Sequence, residues 1–180
     1  MNYPNFFDPK NSLRLFDLQK ELTFFLELYN KGKLPRVLLL TGNKGSGKST
    51  LINHFFFLIF DEKNYDKSNN FLSKNSLFYN QLKENIFPNI IYLKGSHFNS
   101  VKIEDVRHLK TTIFKSSILE MNRFIVFDDI ELFNVNSINA LLKIIEEPSK
   151  NNFFILINNK FKPLLETIKS RSLEIKIILK

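Results

Sequence analysis

Short runs of apolar residues alternate along the chain with longer stretches in which apolar residues recur every three or four positions. The short runs have the length and composition of buried strands, and they lie at 37–40, 89–93, 123–127, 153–157 and 173–179. The longer stretches predict helices at 12–29, 102–119, 138–146 and 163–169, with a further helix of about a dozen residues that begins at Lys48. This alternation indicates an α/β fold with a five-stranded, mainly parallel sheet and helices on both faces.

Residues 61–86 interrupt the regular pattern. The first part, 61–70, is polar and rich in Asn and Lys, which predicts a loop or a poorly ordered insertion. The second part, 71–86, is compatible with a helix that carries an apolar stripe. Farther along, the helix at 138–146 is predicted to be capped by Asn136 or Ser137 and to end before a proline.

Length and composition narrow the class of protein. The chain has 180 residues, enough for one α/β domain and too few for two of ordinary size. It has no cysteine, which excludes disulfides and a cysteine zinc site. The longest apolar run, 55–60, is far shorter than a membrane span, and residues 1–5 lack the layout of a signal peptide. We therefore expect a cytoplasmic protein with no membrane partner.

The net charge of +8 is compatible with nucleic-acid binding. However, the lysines are scattered through a chain that is also rich in Asn, Ile and Phe. A solvated basic surface explains the charge equally well, so it does not identify a partner.

A glycine-rich turn follows the first predicted strand and fits the pattern Gly-x-x-x-x-Gly-Lys-[Ser/Thr], with Gly42, Gly47, Lys48 and Ser49 in the fixed positions. Glycine is needed there because backbone N–H groups must converge on a phosphate, and the helix that follows adds a partial positive charge. Lys48 would reach the β- and γ-phosphates, and the Ser49 hydroxyl would bind Mg²⁺. The predicted phosphate-binding residues are Gly42, Asn43, Lys44, Gly45, Ser46, Gly47, Lys48, Ser49 and Thr50.

Two acids end the third predicted strand, as the magnesium side of such a site requires. Asp128 would hold the metal through water or through Ser49, and Asp129 would lie where a general base orients the attacking water. Asn158 or Asn159, at the end of the next strand, could bond the γ-phosphate or that water. Acids facing solvent and an ordinary Asn-Asn turn are the alternatives on the residues alone.

Residues 128–171 resemble the AAA+ clamp-loader subunits of bacterial DNA polymerase III. The resemblance covers nearly the whole chain, from 15 to 177, and is weakest at 61–86. It favours the delta-prime type of subunit over the gamma/tau type. The matching pieces are Asp128-Asp129, the run Asn139-Ala140-Leu141-Leu142-Lys143-Ile144-Ile145-Glu146-Glu147-Pro148, the strand Phe153-Phe154-Ile155-Leu156, and Ser170-Arg171-Ser172, with Leu34-Pro35, Phe87-Pro88-Asn89 and Val106-Arg107-x-Leu109 ahead of them.

The resemblance implies a three-layer AAA+ P-loop NTPase domain that binds ATP and Mg²⁺. It also implies other clamp-loader subunits (gamma/tau and delta) as partners, with the sliding clamp and primer–template DNA reached through the complex. The implied catalytic residues are Asp129, Asn159 and Arg171, the last acting in trans on ATP held by a neighbouring subunit. On the residues alone, Arg171 would be a surface arginine.

The chain departs from the family pattern in four ways. The zinc-binding cysteines are absent, so we expect no zinc and a variable insertion at 61–86 in their place. Asp129 stands where active members carry Glu, which puts hydrolysis in doubt because the side chain is one methylene shorter. Ser172 replaces a Cys of the pattern. We expect no lid or collar domain, and we expect residues 1–180 to form a single nucleotide-binding domain.

Three functions remain open from the sequence. The first is a delta-prime-like subunit that binds ATP and contributes structure and Arg171. The second is a gamma/tau-like motor that hydrolyses ATP itself. The third is an unrelated P-loop NTPase such as a small kinase, which the run at 139–148 disfavours.

Overall fold

The computed structural model describes residues 9–95, 104, 106, 121–147 and 151–178. The helix predicted at 102–119 lies outside the described residues apart from Glu104 and Val106, both of which are helical. The chain divides into two compact units. The first comprises Met1–Leu34, Gly45–Phe87 and Ile177–Lys180, and the second comprises Pro35–Lys44 and Pro88–Lys176.

The described elements follow the alternation of the sequence. In chain order they are a 3-10 helix at Pro9–Ser12, α1 (Gln19–Asn30), β1 (Val37–Thr41), α2 (Lys48–Phe60), a 3-10 helix at Glu62–Asn64, β2 (Tyr65–Asp66), β3 (Phe71–Leu72), α3 (Leu77–Lys83), β4 (Ile90–Lys94), β5 (Arg123–Asp128), a 3-10 helix at Ile130–Leu132, α4 (Val135–Glu146), β6 (Asn152–Asn158), α5 (Glu166–Lys169) and β7 (Leu173–Lys176). All five predicted strands are present. The first helix begins later than predicted because Asp17 has a positive φ of 57°, which no α-helix accommodates.

The second unit contains a five-stranded sheet with the order β4-β5-β6-β1-β7, in which every neighbouring pair is parallel. Strands β1, β5 and β6 are buried along their whole length, which explains their continuous apolar runs. Phe127 stacks against Phe154 across β5 and β6, and Phe124 stacks against Phe153 in the same pair of strands. The predicted α/β fold with a five-stranded parallel sheet is confirmed.

The N-terminal cap of α4 differs from the prediction. Asn134 caps the helix: its Oδ1 accepts a hydrogen bond of 2.8 Å from the backbone N–H of Ser137. The predicted cap at Asn136 or Ser137 is therefore wrong, since both residues already lie inside the helix. A cap residue needs an extended backbone, which Asn134 has (φ −72°, ψ 160°).

The cap assignment predicts a difference between two neighbouring asparagines. Asn134→Ala is expected to lower the free energy of unfolding by about 1 kcal/mol, because an N–H of the first turn loses its partner. Asn136→Ala is the matched control and should cost nothing, since Asn136 is exposed inside the helix. Urea denaturation of both variants measures the difference, and equal losses would contradict the assignment.

The first unit is built on aromatic contacts between α1 and α2. Phe25 and Tyr29 of α1 meet the ring of Phe55 edge-on, with centroids 6.0 and 5.9 Å apart. A second group of rings packs the end of α2 against α3 and against Phe87. It consists of Phe57, Phe60, Phe78 and Phe87, with centroid separations of 4.8–5.7 Å.

Residues 61–70, predicted as a loop or a poorly ordered insertion, carry regular structure instead. Strands β2 and β3 form an antiparallel pair, and the extended segment before α1 pairs with β3 on its other side. In that pairing Leu15 N–H donates to Asn70 O (3.1 Å) and Leu72 N–H donates to Leu13 O (2.9 Å). The pairing partner is distant in sequence, so the local composition did not reveal it. No helix of the described residues is long and apolar enough to cross a membrane.

Candidate functional site

The part of the glycine-rich loop that lies in the first unit has the backbone conformation that the motif requires. Gly45 and Gly47 have φ values of 83° and 78°, in the left-handed region that side chains disfavour. Gly47 caps α2, and its carbonyl accepts the hydrogen bond of Leu51 N–H (2.8 Å). A Cβ at Gly47 would lie 2.8 Å from Leu18 Cδ1, so a side chain is also excluded by contact.

Lys48 turns its amine back to this loop. Its Nζ donates a hydrogen bond of 3.2 Å to Ser46 Oγ, and both residues are buried. An ammonium group held at the N-terminal end of a helix is costly to bury, and it is the arrangement in which a phosphate offers compensation. The loop has the backbone conformation that the motif requires, and its binding of a nucleotide phosphate stays a prediction.

The part of the loop in the second unit makes different contacts. Gly42 N–H donates to the carbonyl of Asn158 (3.2 Å), which joins the end of β1 to the end of β6. Lys44 Nζ lies 5.0 Å from the ring centroid of Phe161. The loop start is thus anchored to the chain segment that follows β6.

Asp128, at the end of β5, lies in a dense set of hydrogen bonds. Its Oδ2 accepts from Tyr92 Oη at 2.7 Å, and its Oδ1 accepts from the backbone N–H of Asp129 at 2.9 Å and from Asn159 Nδ2 at 3.0 Å. Burial raises the pKa of the Asp128 carboxyl, although the bond from Tyr92 opposes the rise. A carboxylate can bind magnesium through a bridging water, and that role of Asp128 stays a prediction.

Asp129 is held by two partners. Its Oδ1 accepts from Asn159 Nδ2 at 2.7 Å, and its Oδ2 lies 3.6 Å from Lys94 Nζ in an ion pair whose side chains are only 5% and 8% exposed. Burial lowers the pKa of the Lys94 ammonium, while the carboxylates of Asp129 and Asp128 oppose that shift. The backbone of Asp129 has a φ of 52°, which turns its side chain out of the line of the strand.

The two asparagines after β6 have different partners. Asn159 places its amide on both acids, whereas Asn158 Oδ1 accepts from Lys160 N–H (2.9 Å) and shapes the turn. Glu131 supports the same turn, because its Oε1 accepts from the backbone N–H groups of Asn159 (3.0 Å) and Phe161 (3.2 Å). Of the two asparagines, Asn159 has the geometry to act together with the acids.

Three residues of this cluster were not predicted: Tyr92, Lys94 and Glu131. Lys94 is the register partner of Asp128 in the parallel pair β4–β5, and a polar residue at the end of a predicted strand was the signal for it. Tyr92 lies two positions earlier and so on the same face of β4. Glu131 has no local signal, because only the fold brings the turn after β6 next to it.

Arg171 belongs to a different group of side chains in the second unit. Its Nε donates to Glu146 Oε1 at the end of α4 (2.9 Å), its Nη2 lies 2.7 Å from the same oxygen, and its Nη1 donates to Thr167 O and Ser170 Oγ. The structure thus brings Asp128, Asp129 and Asn159 together and leaves Arg171 among other partners. That separation is compatible with the trans role implied by the resemblance.

Comparison with curated proteins gives matches among DNA polymerase III subunits. The chain is 34% identical over 79 residues to DNA polymerase III subunit delta' of Buchnera aphidicola subsp. Baizongia pistaciae, which covers 44% of this chain and 24% of that protein. It is 25% identical over 149 residues to DNA polymerase III subunit gamma of Buchnera aphidicola subsp. Acyrthosiphon pisum, covering 81% of this chain and 39% of that one. The chain spans well under half the length of these relatives.

Solved structures support the fold. The RuvB Holliday junction branch migration motor of Thermotoga maritima superposes with a TM-score of 0.54 at 20% identity, over 98% of this chain and 48% of that one. The DNA clamp loader delta protein of Bacillus subtilis gives a TM-score of 0.50 at 12% identity, over 86% and 42%. Both are AAA+ P-loop proteins.

The family described as "DNA polymerase III, delta subunit" matches residues 18–178, nearly the whole chain. This span includes the glycine-rich loop, the acid cluster and Arg171. The chain therefore belongs to the DNA polymerase III delta subunit family of clamp-loader proteins.

Proposed function

We propose that this chain acts as a delta-prime-like subunit of the DNA polymerase III clamp loader, one that binds ATP but does not hydrolyse it efficiently. The proposal rests on the contacts of the two carboxylate oxygens of Asp129. One of its oxygens accepts a hydrogen bond from Asn159, and the other faces the ammonium of Lys94. Family membership supports the setting in which the subunit works: an assembly with gamma/tau and delta subunits that loads the sliding clamp onto primer–template DNA.

Nucleotide binding is assigned to the glycine-rich loop. Lys48 would contact the β- and γ-phosphates, backbone N–H groups of the loop would cradle them, and the Ser49 hydroxyl would bind Mg²⁺. When bound, the metal neutralises phosphate charge. The buried Lys48 amine and the left-handed glycines support this assignment.

Weak hydrolysis follows from the chemistry required of a general base. To activate water, a carboxylate oxygen must be directed at that water, and both oxygens of Asp129 already face other groups of this chain. Asp129 meets both a cation and an amide donor, and it is one methylene shorter than the Glu that active members of the family carry. The gamma/tau-like motor is the alternative, favoured by the intact loop.

Binding and turnover can be measured separately on the purified chain. We expect ATP with Mg²⁺ to bind, as followed by calorimetry, and turnover to be negligible. Lys48→Ala should weaken binding about 10- to 100-fold, because a charge-assisted hydrogen bond of roughly 1.5–3 kcal/mol is lost. Lys20→Ala, an exposed lysine on α1, is the control and should bind as the parent does.

The three possible outcomes of the binding and turnover measurement lead to different conclusions. Binding without turnover supports the proposal. Turnover that Lys48→Ala abolishes would favour the gamma/tau-like motor instead. Failure of the parent chain to bind ATP would contradict the assignment of the loop.

The trans role of Arg171 is tested in a clamp loader assembled with this chain. Arg171→Ala should lower the ATPase rate of the complex by about tenfold or more, because the guanidinium would no longer stabilise charge at the neighbour's γ-phosphate. Analytical ultracentrifugation of the same sample checks that the complex still forms. An unchanged rate in a fully assembled complex would remove Arg171 from the mechanism.

A further inference from the structure

Three hydrogen bonds and one ion pair hold the Arg171 guanidinium against other residues of this chain. Nε donates to Glu146 Oε1 at 2.9 Å, and Nη2 lies 2.7 Å from the same oxygen. Nη1 donates to the carbonyl of Thr167 at 3.1 Å and to Ser170 Oγ at 3.4 Å. Since a guanidinium carries five donors in one rigid plane, these contacts define both its position and its orientation.

The contacts come from two separate elements. Thr167 and Ser170 lie in and just after α5, next to Arg171 in the sequence, and they hold the Nη1 side of the plane. Glu146 is the last residue of α4 and holds the opposite edge, formed by Nε and Nη2. The C-terminal end of α4 also favours a cation beside it, because the helix dipole is negative there. Among the described residues, Nη2 meets no acceptor other than Glu146 Oε1, so it is the nitrogen from which a further acceptor can receive a hydrogen bond.

We propose that Glu146 is a positioning residue for Arg171: it holds the guanidinium in a single orientation in which the remaining Nη2 donor can meet a phosphate oxygen of an adjacent subunit. The inference rests on the proposed trans role of Arg171. An unrestrained arginine side chain loses rotamer entropy when it is fixed, and Glu146 removes part of that cost before the phosphate is met.

A carboxylate beside a guanidinium could instead oppose phosphate binding by neutralising the cation. Two substitutions of Glu146 distinguish positioning from neutralisation. Glutamine keeps the accepting oxygen and loses the charge, whereas alanine loses both. Positioning predicts that Glu146→Gln behaves like the parent and that Glu146→Ala is impaired. Neutralisation predicts that both variants are faster than the parent. The pair is 37% and 45% exposed, so its charge is screened by solvent, which favours positioning over neutralisation.

The first measurement is steady-state ATP hydrolysis by a clamp loader assembled with this chain. Glu146→Ala is expected to lower kcat about fivefold with little change in KM, since the arginine acts on the transition state rather than on ATP binding. Glu146→Gln should restore kcat to within about twofold of the parent. Glu147→Ala, the exposed neighbouring acid, is the control and should leave both constants unchanged.

The second measurement needs only the chain itself. Five arginines give five Nε–Hε signals in a ¹⁵N correlation spectrum, and Arg171→Lys identifies the one from Arg171. We expect that signal to exchange slowly with solvent in the parent and in Glu146→Gln, and to exchange at least about tenfold faster in Glu146→Ala.

These measurements distinguish a failure of the trans role of Arg171 from a failure of the positioning role of Glu146. If Arg171→Ala lowers the ATPase rate while Glu146→Ala does not, the trans role stands and the positioning role is overturned. If Arg171→Ala has no effect in the assembled complex, the proposed function of Arg171 fails, whatever the spectrum shows. Equal solvent exchange in Glu146→Ala and the parent would overturn the positioning role without reference to any partner, and faster ATPase in both Glu146 variants would replace it with neutralisation.

Discussion

Gly95→Ala is expected to lower the free energy of unfolding by about 3 kcal/mol, at the upper end of what overpacking costs. A Cβ at this position would lie 2.6 Å from the backbone oxygen of Asp129 and 2.9 Å from Cδ1 of Phe133. The backbone of Gly95 is held close to Asp129, because Gly95 N–H donates a hydrogen bond of 2.8 Å to Asp128 O. The added methyl group must therefore push against the segment that carries Asp129.

Urea denaturation of Gly95→Ala measures this loss, and Gly32→Ala is its control. Gly32 has a φ of 66°, but a Cβ added there would meet no atom within 4 Å, so its substitution introduces backbone strain without overlap. That strain should cost about 1 kcal/mol. A Gly95→Ala variant that loses less stability than Gly32→Ala would show that the close approach at Asp129 is relieved at little cost.

The second large effect is a loss of stability in mild acid that depends on His54. This side chain is fully buried on α2, and Nε2 lies 2.7 Å from the carbonyl of Ser12, which can only accept. Nε2 therefore carries the proton, and Nδ1 accepts from Tyr65 Oη at 2.8 Å. Burial lowers the pKa of His54 from 6.5 to about 4, although the bond to Ser12 opposes the shift.

The sign of the effect follows from proton binding. The unfolded chain binds the proton more tightly than the folded chain, so the contribution of neutral His54 is complete above pH 6.5 and is lost as the pH falls towards 4. At about 1.36 kcal/mol for each pKa unit, the loss between pH 7 and pH 4 is roughly 3 kcal/mol.

Denaturation at several pH values, compared with His54→Gln, isolates this contribution from that of the carboxylates. Glutamine can still donate to Ser12 O but does not titrate, so the variant should lose clearly less stability in acid than the parent. Parallel curves for the two proteins would show that His54 does not bind a proton on unfolding.

The local pattern of residues was enough to predict the sheet and the loop. Strands β1, β5 and β6 are buried on every side, and such strands must be continuously apolar, so their position can be seen in the sequence. Gly47 and Lys48 belong to a motif whose spacing reflects one local backbone conformation. The acids at the end of β5 were predicted because the magnesium side of a phosphate-loop site requires an apolar strand that ends in acids.

The errors arose where local preference did not decide the structure. Asn134, Asn136 and Ser137 are all plausible caps by residue type, and the choice depends on where the chain turns into α4. Residues 61–70 have the composition of a loop, yet they contain β2, which pairs with β3, and β3 in turn pairs with the distant segment before α1. Neither outcome is encoded in a short window of sequence.

The amino-acid sequence was sufficient to predict the α/β fold class, the conformation of the glycine-rich loop before Lys48 and the family of the chain, because these depend on periodicity and on contiguous motifs. The partners of Asp129 and of Arg171 required the folded structure. Lys94, Asn159 and Glu146 lie far from those residues along the chain, and only strand register and helix packing bring them within hydrogen-bonding or ion-pair distance. Side-chain contacts of this kind determine how a shared motif is used, and they depend on tertiary structure because their geometry is set by elements distant in sequence.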